Sequence, residues 1–260
     1  MFRTANSLRV SAMAIAFAGL VTRGAAGEPA DLKLPVARPK SASISGEQPK
    51  FTYYFFWRDN NTSAKEGLRA LRTSLSTHSE RAAHVTVNVN DPEQRQLVEK
   101  FKVGRSPMPL VLAVAPNGAV TGASTNAVNP EWVEQTLVTP RMTQCMKSMQ
   151  SGKLVVLCVH GSERRETPRG VREFISDPHF QQRTAVYSLD TTDPAELRFL
   201  KDLQIPAEAT DATTVVMMAP PGALVGKFPG NVSGQQMAAK LHAQGKCCND
   251  PNCKHNRRGN

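Results

Sequence analysis

The chain has 260 residues, 40% of them hydrophobic and 21% charged, with a formal net charge of +10. That length holds more than one ordinary domain, and the composition excludes a disordered or collagen-like chain. The basic excess is scattered, with Arg164 and Arg165 set between Glu163 and Glu166; no basic stripe interleaved with aromatics forms, so nucleic acid is not an expected partner.

Residues 1–27 read as a signal peptide. Arg3 and Arg9 give a basic start, Val10 to Val21 is an apolar stretch too short to span a bilayer as a helix, and Ala25, Ala26 and Gly27 offer cleavage before Glu28. Loss of Arg3, Arg9 and Arg23 with this leader brings the net charge to +7. The expected location is secreted or periplasmic. No later stretch is long and apolar enough to span a membrane. Residues 28–50, rich in Pro, Ala, Ser and Lys, read as a flexible linker.

Phe51 to Trp57 is an aromatic, β-forming run and predicts a buried strand. Asn61, Thr62 and Ser63 offer helix caps before Leu68, Leu71 and Leu75, which share one helical face. Val85, Val87 and Val89 alternate with polar residues and predict a second strand. Asp91-Pro92 starts a second helix, because proline in the first turn loses no hydrogen bond. Leu110 to Ala115 predicts a third strand, Asn117-Gly118 a hairpin turn, and Pro130-Glu131 a last helix with Trp132, Val133 and Leu137 inward.

The pattern then repeats. Leu97, Val98, Phe101 and Val103 match Phe199, Leu200, Leu203 and Ile205, each 102 positions on, and Asp91-Pro92 matches Asp193-Pro194. Leu154 to Val159 and Thr184 to Leu189 are strands, Thr167-Pro168 caps a helix with Val171, Phe174 and Ile175, Thr214 to Ala219 is the third strand, and Ser233 caps a final helix. A period near one hundred residues means two copies of a whole domain. The boundaries expected are 51–139 and 153–245, with an inter-domain segment at 140–152 and a cysteine-rich tail at 246–260. The methionines Met142, Met146 and Met149 of that segment read as packing residues.

The order βαβαββα, with a proline before the third strand and a Pro-x-Gly hairpin after it, resembles the thioredoxin-like fold. The resemblance covers Phe51 to Gln244 and implies two α/β domains, each a mixed central sheet flanked by helices. The redox chemistry of that superfamily needs Cys-x-x-Cys at the N-terminus of the first helix, where the helix dipole lowers the thiol pKa. Here that place reads WRDNNTSAK, Trp57 to Lys65, in the first copy and HGSERRETP, His160 to Pro168, in the second. Neither holds a cysteine, so no catalytic residue and no dithiol exchange are expected there. The resemblance also places a cis-proline at Pro109, preceded by Met108; the main chain beside such a proline pairs with an extended peptide. Met108 and Pro109 are therefore the candidate peptide-binding residues, and a protein or extended peptide is the expected partner. The second copy has Thr213 in place of that proline.

Five cysteines remain: Cys145, Cys158, Cys247, Cys248 and Cys253. Cys145 and Cys158 read as buried packing residues or as a mutual bridge, and a nucleophilic pairing of Cys158 with His160 lacks an orienting third group. In the tail, Cys247, Cys248, Cys253 and His255 form a disulfide candidate in an exported protein and, in the alternative, a soft site for zinc or copper(I). Otherwise no cofactor is expected. The odd count leaves one thiol for a disulfide-linked dimer. The leading expectation is a non-catalytic binding or scaffold module, and the alternative is a thiol-redox or metal protein acting through its tail.

Overall fold

The computed structural model describes residues 49–126, 128–161, 166–206 and 213–245. They fall into two compact units that part between Val138 and Thr139.

In the first unit, Phe51–Trp57 (β1) leads to Thr62–Leu75 (α1), Ala82–Asn88 (β2), Arg95–Phe101 (α2), Leu110–Val114 (β3), Val120–Ser124 (β4) and Pro130–Thr136 (α3). The sheet order is β2-β1-β3-β4, with β1 and β2 parallel and the other pairs antiparallel. The central strand β1 is covered on both faces, which is why its sequence is a near-continuous aromatic run. Tyr53, Phe55 and Trp57 pack with Leu68, Leu71 and Leu75 of α1 and Val133 of α3. Tyr54 and Phe56 point the other way, to Val87, Leu97, Val98 and Phe101. Each aromatic or leucine fully removed from water here contributes about 1.5–3 kcal/mol. Asn61 caps α1, accepting the Ala64 N–H at 2.9 Å, and Asn129 caps α3, accepting the Trp132 N–H at 2.8 Å. Asp91 accepts the Glu93 N–H at 2.9 Å and caps a short 3-10 turn, Pro92–Gln94, so that α2 itself begins three residues later than the sequence marks.

The second unit repeats this frame: Pro140–Gln150 (α4), Leu154–His160 (β5), Arg169–Ser176 (α5), Pro178–Gln181 (α6), Thr184–Asp190 (β6), Leu197–Asp202 (α7), Thr214–Ala219 (β7), Ala223–Pro229 (β8) and Gly234–Ala243 (α8). The order β6-β5-β7-β8 has the same mix of parallel and antiparallel pairs. Leu154, Val156 and Cys158 face Val171, Phe174, Met237 and Leu241. Val155, Leu157 and Val159 face Phe199 and Leu200 of α7 and Cys145 and Met149 of α4.

Two details differ from the sequence reading. Residues 140–152 read as a segment between domains, yet α4 places Cys145 and Met149 in the core of the second unit. Cys145 and Cys158 read as a candidate bridge, yet both are free thiols in cores on opposite faces of one sheet. Alternation along β5 decides this, since Cys158 follows the parity of Val156 and not that of Leu157. Among the described residues no helix is long and apolar enough to cross a membrane. The segment expected to be a signal peptide, most of the expected linker and the cysteine-rich tail lie outside the described residues.

Candidate functional site

In the first unit, the loop before β3 meets the start of α1 and encloses a cleft of about 240 Å³. Phe55 and Val111, both buried, line it from the sheet; Ser63 and Gly67 line it from α1, and Pro109 and Asn126 from the loops. Gly67 lets the helix approach closely, because a β-carbon there would lie 3.2 Å from the Phe55 ring and 3.5 Å from Pro109 Cγ. The Met108-Pro109 bond is cis. The two candidate side chains diverge. Pro109 faces the cleft, while Met108 packs on the opposite core beside Phe56, Val87 and Leu110. What Met108 leaves accessible is its main chain: the register of β1 with β3 ends at Phe56 and Leu110, and among the described residues the Met108 N–H and C=O make no hydrogen bond. Arg58 Nη2 donates to the Gly104 carbonyl at 3.1 Å and ties this loop to the end of β1.

The N-terminus of α1 is occupied by its own cap. Asn61 takes the Ala64 N–H at 2.9 Å. The two described cysteines lie elsewhere and are poor nucleophiles. Burial pushes the Cys145 thiol up to about 12 and the Cys158 thiol up to about 11, because a thiolate in an apolar core loses its hydration. His160 does not activate Cys158: its Nδ1 bonds the Gly161 carbonyl at 3.0 Å and its Nε2 has no partner. In the second unit Thr213 stands at the position that matches Pro109. Gly230 approaches Thr213 so closely that a β-carbon on it would meet Thr213 Cβ and O at 2.9 Å. Among the described residues, no group of three or more His, Cys, Asp and Glu side chains is placed to hold a metal ion. The tail candidates Cys247, Cys248, Cys253 and His255 lie outside the described residues. Two buried polar residues of the second unit stand out, His160, which the sequence offers only as a partner for Cys158, and Glu196, which it does not single out. Nothing in the local pattern joins the two, since the fold alone brings the ends of β5 and β6 together with the turn before α7.

No protein-family model matches the sequence, and no curated protein matches it. Among solved structures, the chain is similar to the N-terminal domain of alkylhydroperoxide reductase AhpF from Enterococcus faecalis, at 12% identity over 72% of this chain and 88% of that one, with a TM-score of 0.29. It is also similar to the first two thioredoxin domains of Naumovozyma dairenensis Eps1p, at 10% identity over 69% and 84%, TM-score 0.27. A third is the germline-specific thioredoxin Deadhead of Drosophila melanogaster, at 18% identity over 34% and 79%, TM-score 0.28. Both domains of this chain are thioredoxin-like in fold. The strand order and the mixed register carry that assignment.

Proposed function

We propose that this protein is an exported, non-catalytic tandem thioredoxin-like module that docks an extended polypeptide beside Pro109 of its first domain. One observation carries the reading: the Met108 main chain lies unbonded next to a partly apolar cleft. An extended peptide would pair with that N–H and C=O as an added strand and set one side chain against Phe55 and Pro109. Two further points support a binding role. No cysteine stands between Trp57 and Lys65 or between His160 and Pro168, so no thiolate is available where dithiol exchange would occur. The two described thiols are buried, and burial disfavours their ionised form. No cofactor takes part in this reading. The experiment is an NMR titration of the full chain with extended peptides of varied sequence. Shifts at the Met108 and Gly67 amides are expected, and their loss in Ser63→Trp, which covers the cleft from an exposed position of α1. Peptide-induced shifts confined to other surfaces, or none, would remove the proposal.

A further inference from the structure

The second domain contains a polar pocket of about 390 Å³ that the reading above leaves unused. Arg141, His160, Ser188, Asp190, Asp193 and Glu196 line it. Two of these are charged or polar side chains almost wholly removed from water: His160 is 3% exposed and Glu196 4%. Each has only part of its hydrogen bonding made within the protein. His160 Nδ1 lies 3.0 Å from the Gly161 carbonyl. A carbonyl only accepts, so Nδ1 carries a proton, and in the tautomer with a single ring proton the lone pair lies on Nε2. That Nε2 has no partner. Glu196 Oε1 accepts the Arg141 backbone N–H at 2.7 Å in the first turn of α4, and Oε2 has no partner. Buried acceptors are normally satisfied, so two unsatisfied ones lining one pocket mark a place where donors arrive from outside.

The charge of the lining selects the donor. Among the described residues of the lining, Asp190, Asp193 and Glu196 are carboxylates and Arg141 is a guanidinium. Arg141 is already engaged, with Nη1 on Gln144 Oε1 and its guanidinium carbon 5.8 Å from the centre of the Tyr187 ring. The aspartates are held by their own turns. Asp190 Oδ1 accepts the Thr192 N–H at 2.8 Å, and Asp193 Oδ1 the Ala195 N–H at 2.9 Å. The acceptors are thus in place before any ligand arrives. We infer that this pocket binds an organic cation rich in N–H donors, an alkylguanidinium or alkylammonium head, which donates to His160 Nε2 and Glu196 Oε2. The head group is either a free amine or the side chain of an Arg or Lys in a basic peptide. A metal ion fits less well, because no three ligating side chains among the described residues are arranged around one point.

The test follows the His160 Nε2 nitrogen resonance of the full chain near neutral pH. The probes are methylguanidinium, methylammonium, the peptide acetyl-Gly-Arg-Gly-amide, and the same peptide with neutral citrulline in place of arginine. At least one small cation and the arginine peptide are expected to move the resonance, and the citrulline peptide is not. Glu196→Gln, which keeps the shape but replaces an acceptor by a donor, is expected to weaken binding at least about tenfold. Similar affinity for methylguanidinium and the arginine peptide indicates a free amine as ligand, and much tighter peptide binding indicates a basic protein segment. Either result supports the site. The inference is overturned if no cation moves the resonance, if the citrulline peptide moves it equally, or if zinc alone does so. Should Glu196→Gln fail to fold, the wild-type titration decides by itself.

Discussion

Gly67 and Gly170 occupy matching places in α1 and α5, the helices that follow the first strand of each domain, yet alanine should act oppositely at them. At Gly67 the new β-carbon would lie 3.2 Å from Phe55 Cε2 and 3.5 Å from Pro109 Cγ, the edges of side chains that can give by a few tenths of an ångström. Alanine gains about 1 kcal/mol over glycine inside a helix. Part of that gain is lost to the tight contact, and a net stabilisation of roughly 0.5 kcal/mol is expected. At Gly170 the β-carbon would lie 1.7 Å from the Val232 carbonyl oxygen and 3.0 Å from Ser233 Cα. These are backbone atoms of the segment that caps α8 through Ser233, so α5 and α8 would have to part by more than an ångström. Overpacking of this kind costs about 1–3 kcal/mol or more, which exceeds the helix gain; a net loss of roughly 2 kcal/mol is expected. The sequence supplies a clean assay. Both tryptophans, Trp57 and Trp132, lie in the first domain, so tryptophan fluorescence in a denaturant series reports that domain, while amide exchange reads the second. Gly67→Ala should raise the fluorescence midpoint. Gly170→Ala should leave it unchanged and accelerate exchange in β5, α5 and α8. If Gly170→Ala instead stabilises the second domain, the close approach of α5 to the segment before α8 is wrong.

The other expectations are independent of this pair. With Cys247, Cys248 and Cys253 replaced by Ser, iodoacetamide should leave native Cys145 and Cys158 unmodified at mildly alkaline pH and label both after denaturation, by intact mass; native labelling would contradict their burial. Unfolded thiols ionise near 9.0, while burial holds Cys145 to about 12 and Cys158 to about 11. The unfolded chain therefore loses these protons first, and the second domain should lose stability steadily as pH rises from 9 toward those values, measured by amide exchange; a flat profile would count against it. In the first domain, burial raises Tyr53 from 10.0 to about 12 against the opposing effect of its Thr136 hydrogen bond, so the same sign applies there above pH 10. Tyr53→Phe removes the 2.6 Å hydrogen bond to Thr136 Oγ1 and should destabilise the first domain by about 1 kcal/mol in the fluorescence assay. The same triple serine variant should abolish any dimer seen on a non-reducing gel; a surviving dimer band would exclude the tail as its cause.

How far the sequence speaks depends on whether a feature is local. Phe51 to Trp57, Asp91-Pro92 and Ser233 announce strand, cap and cap without any partner, because period-two burial and free N–H groups are satisfied within a few residues. The bounds of β1 agree residue for residue. The beginning of β2 at Ala82 was not legible, since that end of the strand is ordered by pairing with Phe51 and not by its own pattern. Pro109 could be singled out as a cleft residue, but the turning of Met108 toward the other core could not. Side chains on either side of a strand start diverge only once the sheet gives them two faces.

The sequence by itself determined that there are two copies of one α/β unit, the order of their strands, and that no cysteine stands at the start of α1 or α5. Those properties are written in short-range periodicity, capping chemistry and residue identity. Tertiary structure alone decided that α4 belongs to the second core, that Cys145 and Cys158 lie on opposite faces of one sheet, and that His160 and Glu196 line one pocket with unpaired acceptors. Such contacts join residues dozens of positions apart. Their chemistry depends on what burial withholds from water, which no local pattern records.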